Sequence, residues 1–437
     1  SYAILFKDAC ENIEINHCHI KCDTTSTRYA GIYKEASSGV VHNIRILHNN
    51  IEGACYNIYF EGGLNTSEFA NNIIINDNVL SNAYERGAYL YYSNFNSISN
   101  NSIHTRKTNT SSLYYGLSIC YSNVSAIHAN KIYSHEPFNE IYGMYVNYVN
   151  YYNAVSTGLI SNNELNLQAK SSDAYGMYVN YSKVNIYHNS IHLTASAAAK
   201  GLYANTNINY PIAIRQNNIG TYSNLVYPMY LPSFNGLTLN YNNYYGSYIG
   251  FITSGISNLA LWKMTSGQDV HSTNINPGFV DFPNSLKTDG MGLTCNQIKD
   301  VLSDINGNTR GIITSVGAYN DFIILPYNVM PHTLVSPMNQ VSAGMSDSVF
   351  VRVANMGSNV INAMSIHLKI NGVLIQSLPW TGNLNVMEVS APIYLGNFVA
   401  LSGSNTLMIY TELPNGQTDN DLSNDTLRVE VYGCDST

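Results

Sequence analysis

Tyrosine is the residue of this chain whose abundance and spacing point most directly to chemistry. The 437 residues include 36 tyrosines, and a recurring triplet reads glycine, apolar residue, tyrosine, as in Gly143-Met144-Tyr145. Ser118 and Ile252 take the tyrosine position in two copies. The triplet tyrosines are Tyr33, Tyr59, Tyr89, Tyr145, Tyr178, Tyr203 and Tyr230. Aromatic rings offer apolar faces and phenols offer hydrogen bonds, so a flat row of them, with open space above the glycines, could bind a polysaccharide or surface glycan.

The same tyrosine row has a second interpretation that needs no ligand. Aromatic pairs on neighbouring strands contribute roughly 0.2–1 kcal/mol each. Tyrosines that recur once per repeat could therefore stack on one another, cover the backbone and stabilise a sheet. The sequence leaves both interpretations open.

Ionisable residues that could support catalysis are scarce around the tyrosines. A glycoside hydrolase needs two carboxylates, and Glu35 and Glu61 each follow a triplet tyrosine by two residues in adjacent repeats. Repulsion between them would raise one pKa, although solvated surface glutamates are the simpler interpretation. A polysaccharide lyase also needs a cation to neutralise its substrate, for which Arg86 is a weak candidate. Lys200 shares its repeat position four repeats away, too far to share one sugar.

The repeat that would position these residues carries a second signal, an asparagine two residues before an apolar anchor. Cys18 takes the asparagine position in the first copy and Asp77 in the third. Asparagine tolerates left-handed backbone, and stacked asparagines can form a hydrogen-bonded ladder. The anchors, 24 to 33 residues apart, are Ile20, Ile51, Val79, Ile103, Ile132, Leu165, Ile191, Ile219 and Tyr244.

Two in-phase signals per repeat, joined by short alternating segments, predict strands of three to five residues rather than helices. The pattern resembles the right-handed parallel β-helix proteins of the pectate-lyase-like superfamily, secreted bacterial proteins whose coils carry an asparagine ladder. Polysaccharide lyases and hydrolases of that fold have their sites on the face that the tyrosines would occupy. We therefore predict an all-β chain in which about nine coils span residues 1–260.

The rest of the sequence predicts a closing segment at 261–321 and a second domain at 322–437. Ser303–Arg310 is similar to the closing segment of secreted β-helix proteins, where it is mainly a structural cap. Its Asp304, Asn306 and Asn308 could ligate Ca²⁺ by alternate spacing; no other cofactor is expected. The second domain has strand-like runs and a hairpin signal at Asn371-Gly372. It resembles an immunoglobulin-like β-sandwich of the CARDB type, an adhesion module of extracellular bacterial proteins.

Composition limits the remaining functional classes. The net charge of -8 and the charged content of 11% provide no basic surface for nucleic acid, and no apolar run is long enough to span a membrane. The chain begins mid-pattern, as a mature or truncated piece of a longer protein would. We expect an extracellular or cell-surface adhesive protein that binds a glycan and is joined to further domains. A polysaccharide lyase or glycoside hydrolase is the alternative, and a structural stalk is the second alternative.

Overall fold

The computed structural model divides into two compact units, Ser1–Phe322 and Ile323–Thr437. The predicted boundary between residues 321 and 322 falls in the segment 321–324, outside the described residues. The structure describes residues 2–24, 29–108, 113–151, 156–170, 174–196, 199–223, 226–288, 292–311, 313–320, 325–386, 388–422 and 424–435.

The first unit is a parallel β-solenoid of about eight turns, in which each coil adds one strand to each of three sheets. Strands of the first sheet are Tyr2–Phe6, Ala30–Lys34, Tyr56–Glu61, Arg86–Tyr91, Leu113–Cys120, Glu140–Asn147, Ala174–Asn180, Ala199–Asn205, Val226–Tyr230, Gly250–Phe251 and Gly255–Ile256. Strands of the second sheet are Cys10–Asn16, Val41–Leu47, Ala70–Asn76, Ser93–Ser99, Asn123–His128, Gly158–Ser161, Val184–Tyr187, Ile212–Arg215 and Leu237–Asn240. Strands of the third sheet are His19–Lys21, Asn50–Glu52, Val79–Ser81, Ser102–His104, Lys131–Tyr133, Glu164–Ala169, Ser190–Ala195, Asn218–Thr221 and Asn243–Tyr245.

The core of the solenoid consists of columns of like residues, one from each coil. Successive side chains of a strand point to opposite faces, so the apolar residue of each triplet points inward. Its column is fully or almost fully buried and in register from coil to coil: Ile32, Ile58, Ala88, Leu117, Met144, Met177, Leu202 and Met229. Burying one such side chain contributes about 1.5–3 kcal/mol, which makes this column a main stabilising element.

A buried asparagine ladder joins the coils at the corner between the second and third sheets. The Asn163 Nδ2 donates to Asn189 Oδ1 (2.9 Å) and to the carbonyl of Ile127 (3.0 Å), and Asn130 donates in the same way to Asn163 Oδ1. The residue before each ladder position has a positive φ, as in Asn162 (53°) and His188 (54°). The ladder members are Asn49, Asn78, Asn101, Asn130, Asn163, Asn189, Asn217 and Asn242.

The third coil corrects the predicted alignment by one residue. Leu80, not Val79, is in register with Ile51 and is buried, whereas Val79 is 40% exposed. Asn78 therefore continues the ladder, and Asp77 is the corner residue, with φ of 59°. Two asparagines flank Asp77, so the pattern alone fits either alignment. The prediction that Cys18 replaces the first asparagine is confirmed, because its N–H donates to Asn49 Oδ1 at 2.9 Å.

The segment after the last coil closes the solenoid and then lies on the outer face of the third sheet. The side chain of Asn258 caps the N-terminus of helix Leu259–Ser266, and Gly267, in left-handed conformation, follows its C-terminus. Its Trp262 is fully buried in the solenoid core and donates to Asp269 (2.8 Å). Farther along, Leu286 N donates to the buried Glu164 Oε1 at 2.6 Å, which ties the segment to a middle coil. A short antiparallel pair, Thr294–Asn296 and Ile313–Ser315, follows.

The second unit is a β-sandwich whose two sheets share one apolar core, with Val351 and Phe398 from one sheet and Ile366 and Leu407 from the other. The predicted Asn371-Gly372 hairpin is confirmed, since both residues have positive φ. One sheet contains Val329–Ser336, Ser346–Asn355 and Ile393–Val399; the other contains Gln340–Ser342, Thr426–Cys434, Gly403–Glu412, Ile361–Ile370 and Val373–Leu384. The predicted fold class, a parallel β-helix followed by an immunoglobulin-like sandwich, is confirmed.

The cysteines form no disulfide. Cys55, Cys120 and Cys295 are buried, while Cys434 is exposed. The three buried cysteines act as small apolar residues of the core. Among the described residues, no helix combines the length and apolarity needed to cross a membrane.

Replacing a ladder asparagine by alanine should destabilise the solenoid. Asn163→Ala would leave the Ile127 carbonyl and the Asn130 N–H without their buried partner, which costs about 2–4 kcal/mol in total. The midpoint of guanidinium unfolding, followed by circular dichroism, should fall accordingly.

Asn185→Ala is the matched control for the ladder. Asn185 lies on the outer face of the second sheet, and the next coil has Ala213 at the same position, so the unfolding midpoint should change little. An equal loss in both variants would contradict a special role for the ladder.

The second unit should become less stable as pH rises through the acidic range. Burial, reinforced by the charges of Asp419 and Asp421, raises the pKa of Asp425 to about 7, whereas an unfolded aspartate titrates near ~3.9. The folded unit therefore holds a proton that the unfolded chain loses. This stabilisation is complete below about pH 4 and is lost as pH rises towards about 7.

Hydrogen exchange of the amides in Thr426–Cys434, corrected for intrinsic exchange rates, measures this loss. Asp425→Asn should flatten the pH dependence, because the amide does not titrate. A wild-type unit whose stability rises between these pH values would contradict the prediction.

Candidate functional site

The seven triplet tyrosines form one continuous column on the outer face of the first sheet. Tyr33 pairs with Tyr59 and Tyr59 with Tyr89, Ser118 follows, and from Tyr145 onward the register is unbroken to Tyr230. All seven side chains are half-buried. The structure thus brings together every tyrosine that the triplet pattern selected. The last coil differs, since Phe251 rather than Ile252 is in register with Tyr230.

The rings of this tyrosine column stack on one another instead of lying flat on the sheet. Centroids of Tyr145 and Tyr178 are 4.9 Å apart with planes 8° apart, and Tyr178 and Tyr203 are separated by 4.6 Å and 4°. This spacing matches that of neighbouring strands. Neighbouring coils therefore cover the ring faces within the stack, and the ring edges and hydroxyls remain as the surface. The geometry corresponds to the self-stacking interpretation of the row and does not provide the flat platform.

A second column of aromatic and cationic residues runs beside the tyrosine column; the sequence pattern identified only its two cations, Arg86 and Lys200, and missed its tyrosines. Its rings meet the first column edge-on, as Tyr142 meets Tyr145 at 5.5 Å and 86°. The signal was present, because each member directly precedes the glycine position of a triplet. In register, the members are Tyr56, Arg86, Tyr115, Tyr142, Tyr175, Lys200 and Tyr227.

Arg86 lies where Ser118 interrupts the tyrosine column. Its Nη1 donates to the Ser118 hydroxyl (3.0 Å), its Nε pairs with Glu85 (3.1 Å), and its guanidinium lies 4.3 Å from the centre of the Tyr115 ring. Tyr91 stacks on Tyr89 at 3.8 Å. The one polar gap of the column is thus filled by an arginine held between aromatic rings, with its charge balanced by Glu85.

The two candidate carboxylates are hydrogen-bonded to tyrosines of the column. The Tyr33 hydroxyl donates to Glu35 (2.9 Å), and the Tyr59 hydroxyl donates to Glu61 (2.6 Å). The same contact recurs in two adjacent coils, as expected for a repeated structural feature. Because Arg86 is also held by protein partners, the catalytic roles of Glu35, Glu61 and Arg86 stay predictions without a structural observation in their favour.

Tyr89 and Tyr203 of the tyrosine column remain protonated at neutral pH. Burial, followed by the charge of Glu61, raises the pKa of Tyr89 to about 12, and burial with neighbouring phenols raises that of Tyr203 to about 12. These hydroxyls can therefore donate hydrogen bonds. Beside them, Asn180 donates to Asn147 and Asn205 donates to Asn180, both at 2.8 Å.

The glycines of the triplets do not leave the open space that was predicted beside the tyrosines; they have a structural role. They are buried under the column, and a Cβ on Gly143 would lie 2.5 Å from the Gly176 carbonyl oxygen and 2.7 Å from Leu165 Cδ2. The position therefore admits glycine because adjacent coils approach closely there. The glycines therefore do not themselves provide open space for a ligand.

The predicted calcium ligands occupy a self-contained turn of the closing segment. Asp304 Oδ1 accepts from the backbone N–H of Asn306 (2.9 Å) and Asn308 (2.8 Å), and its Oδ2 accepts from Asn308 Nδ2 (3.1 Å) and Asn320 N (3.0 Å). The carboxylate shapes the turn through these bonds. Calcium binding by Asp304, Asn306 and Asn308 stays a prediction.

Comparisons with known proteins find similarity to part of the chain. The CARDB domain of the PF1109 protein from Pyrococcus furiosus, crystallised with di-metal ions, shares 16% identity, with a TM-score of 0.22; the match covers 26% of this chain and 94% of that domain. A domain of a candidate cell surface protein from Methanosarcina acetivorans shares 17% identity, with a TM-score of 0.22, over 25% of this chain and 94% of that domain. No protein-family model and no curated protein matches the sequence, so membership of the pectate-lyase-like superfamily stays a prediction.

Adding one methyl group at a triplet glycine should destabilise the coils. Gly143→Ala would push a Cβ against the Gly176 carbonyl and the Leu165 side chain, and such overpacking costs about 1–3 kcal/mol. The guanidinium midpoint should fall by the corresponding amount.

Gly311→Ala is the control, because Gly311 is exposed and a Cβ there would meet only the Ile313 carbonyl at 3.2 Å. Its midpoint should stay close to that of the wild type. A Gly143→Ala protein as stable as the wild type would show that the coils can separate at this position.

Proposed function

We propose that this chain is part of an extracellular or cell-surface binding protein that contacts a glycan along the first sheet of its solenoid. The observation that carries the proposal is the continuous column of half-exposed tyrosines, which presents one phenol per coil over most of the solenoid length. Such a row suits an extended, repeating ligand better than a compact one, because equivalent groups recur at the spacing of the strands.

The contacts in this proposal are made by hydroxyls and ring edges rather than by ring faces. From Tyr145 to Tyr203 the row is flanked by the Asn147, Asn180 and Asn205 amides. Phenols and amides both donate and accept hydrogen bonds, as the hydroxyls of a sugar require. Lys200 is the cation of this region and lies 4.8 Å from the centre of the Tyr175 ring.

A structural stalk is the second candidate function, and the self-stacking of the rings favours it. Rings whose faces are covered by neighbouring coils stabilise the solenoid whether or not a ligand binds. The two functions predict different consequences when hydroxyls are removed and rings are kept.

Removing two hydroxyls from the middle of the row should weaken glycan binding without unfolding the protein. The double variant Tyr145→Phe, Tyr178→Phe keeps both rings, and Phe251 shows that the column accommodates phenylalanine. Each lost hydrogen bond contributes about 0.5–1.5 kcal/mol, so the dissociation constant should rise about tenfold for a glycan first identified on an array with the whole chain.

Tyr148→Phe, Tyr181→Phe is the matched control. These tyrosines belong to the same two coils and stack on each other at 5.6 Å, but they lie at the corner after the first sheet. Their loss should leave glycan affinity unchanged. Binding that is insensitive to Tyr145 and Tyr178, or a chain that retains no glycan at all, would leave the stalk as the better account.

A further inference from the structure

A groove crosses the outer face of the third sheet, on a different side of the solenoid from the tyrosine column. It consists of three depressions of about 490, 460 and 270 Å³. Tyr222 and Thr194 line both the first and the second, and Gln168 lines both the second and the third. Each depression therefore adjoins the next, and the closing segment at 276–284 borders the groove at both ends.

Aromatic rings with uncovered faces lie at one end of this groove. His192 meets Tyr222 at 45°, Phe279 at 87° and Phe282 at 67°, with centroids 4.9, 5.9 and 4.7 Å away. Tyr222 is 45% exposed and Phe282 is 48% exposed. Phe279 and Phe282 are nearly parallel, with planes 20° apart and centroids 6.3 Å apart, but the other ring pairs are tilted or edge to face. Tyr222 and Phe282 therefore keep much of their apolar ring surface exposed to solvent.

Hydrogen bonds hold the aromatic end in place. Asn166 accepts from His192 Nδ1 (2.9 Å) through its carbonyl and donates through Nδ2 to the Pro283 carbonyl (2.9 Å). One amide thus fixes both the imidazole on the sheet and the loop that carries Phe282. A site held in this way loses little conformational freedom when a ligand binds.

Most of the remaining lining that the structure describes is polar, and none of it carries a formal charge at neutral pH. The described residues that line the three depressions include no Asp, Glu, Lys or Arg. Burial lowers the pKa of His192 to about 4, so this imidazole is neutral at neutral pH. The polar lining residues other than histidine and tyrosine are Ser134, Asn166, Gln168, Thr194, Ser196, Ser223, Asn276 and Asn284.

We propose that this groove binds a neutral oligosaccharide, with sugar rings packed on Tyr222 and Phe282 and further units extending across the coils towards His104. The span from His104 to Tyr222 covers four steps between coils, about 19 Å at the ~4.8 Å spacing of strands, long enough for several sugar units. Amides and hydroxyls suit sugar hydroxyls, whereas a lipid chain offers such groups no hydrogen bonds. A uronic acid chain would find no cation in the described lining.

The groove and the tyrosine column can be tested separately, since they lie on different sheets. Whole-chain protein would be titrated by calorimetry with neutral hexasaccharides of glucan, mannan and xylan type, and with galacturonate and alginate hexasaccharides as charged probes. At least one neutral hexasaccharide should bind, and the charged ones should not. Tyr222→Ala and Phe282→Ala should each weaken that binding by about tenfold, the loss of ~1.4 kcal/mol of ring packing.

Two controls distinguish this site from the tyrosine column. Val280→Ala alters a residue that is 58% exposed in the same loop but does not line the groove, and it should bind as the wild type does. Tyr145→Phe, Tyr178→Phe alters the column, and its affinity for the same hexasaccharide shows whether that face also binds it. No binding to any neutral probe, preference for the charged probes, or wild-type affinity in Tyr222→Ala and Phe282→Ala would each overturn the proposal. Binding lost only in the column variants would overturn it in favour of the tyrosine face.

Discussion

Coil-to-coil register is the constraint on which every surface of the solenoid depends. It is maintained at one corner, where the chain turns at a residue with left-handed backbone conformation. The asparagine that follows forms a hydrogen bond to the next coil, as Asn130 does to Asn163. Within this ladder a side chain satisfies the backbone of two coils in a buried place where no water can do so. A slip of one residue would point the core columns outward. The ladder therefore fixes which residues form each outer column.

Because the coils are in register, equivalent residues of neighbouring coils are separated by the strand spacing, which determines how aromatic residues pack. Rings repeated on every coil are brought to about the distance at which they stack, so an unbroken column covers its own faces, as Tyr178 and Tyr203 do. An aromatic surface that offers ring faces needs interruptions. The outer column of the third sheet has them, because Asn166 and Gly220 alternate with His192 and other aromatic residues. The interrupted column lines the groove, whereas the continuous one forms a self-supporting stack.

The sequence predicted what repetition determines. A repeat of short strands, the seven tyrosines in one column and the first rung at Cys18 followed from spacing, and the fold class followed from that spacing together with the family resemblance. Spacing gave the wrong alignment where two adjacent alignments fit the pattern equally well. Asparagines lie on both sides of Asp77, at Asn76 and Asn78, so the anchor was assigned to Val79 instead of Leu80. It also could not give the ring orientations, which depend on side-chain torsions and on neighbours in other coils. The buried Lys34, whose Nζ donates to the Glu35 carbonyl (2.8 Å), shows that inward positions are not always apolar.

The groove could not be predicted from the repeat because part of its lining, at 276–284, comes from the closing segment outside the repeat. Its loop is held by contacts between residues more than a hundred positions apart, such as Asn166 with the Pro283 carbonyl and Glu164 with Leu286. Burying the Glu164 carboxylate is costly, and desolvation raises its pKa; the bonds from Leu286 and Tyr319 offset that cost. A solenoid that ended at its last coil would expose the third sheet as a plain repetitive face. The returning segment converts part of that face into a groove with unlike walls, and such asymmetry allows a repetitive scaffold to bind a ligand at one place along its length.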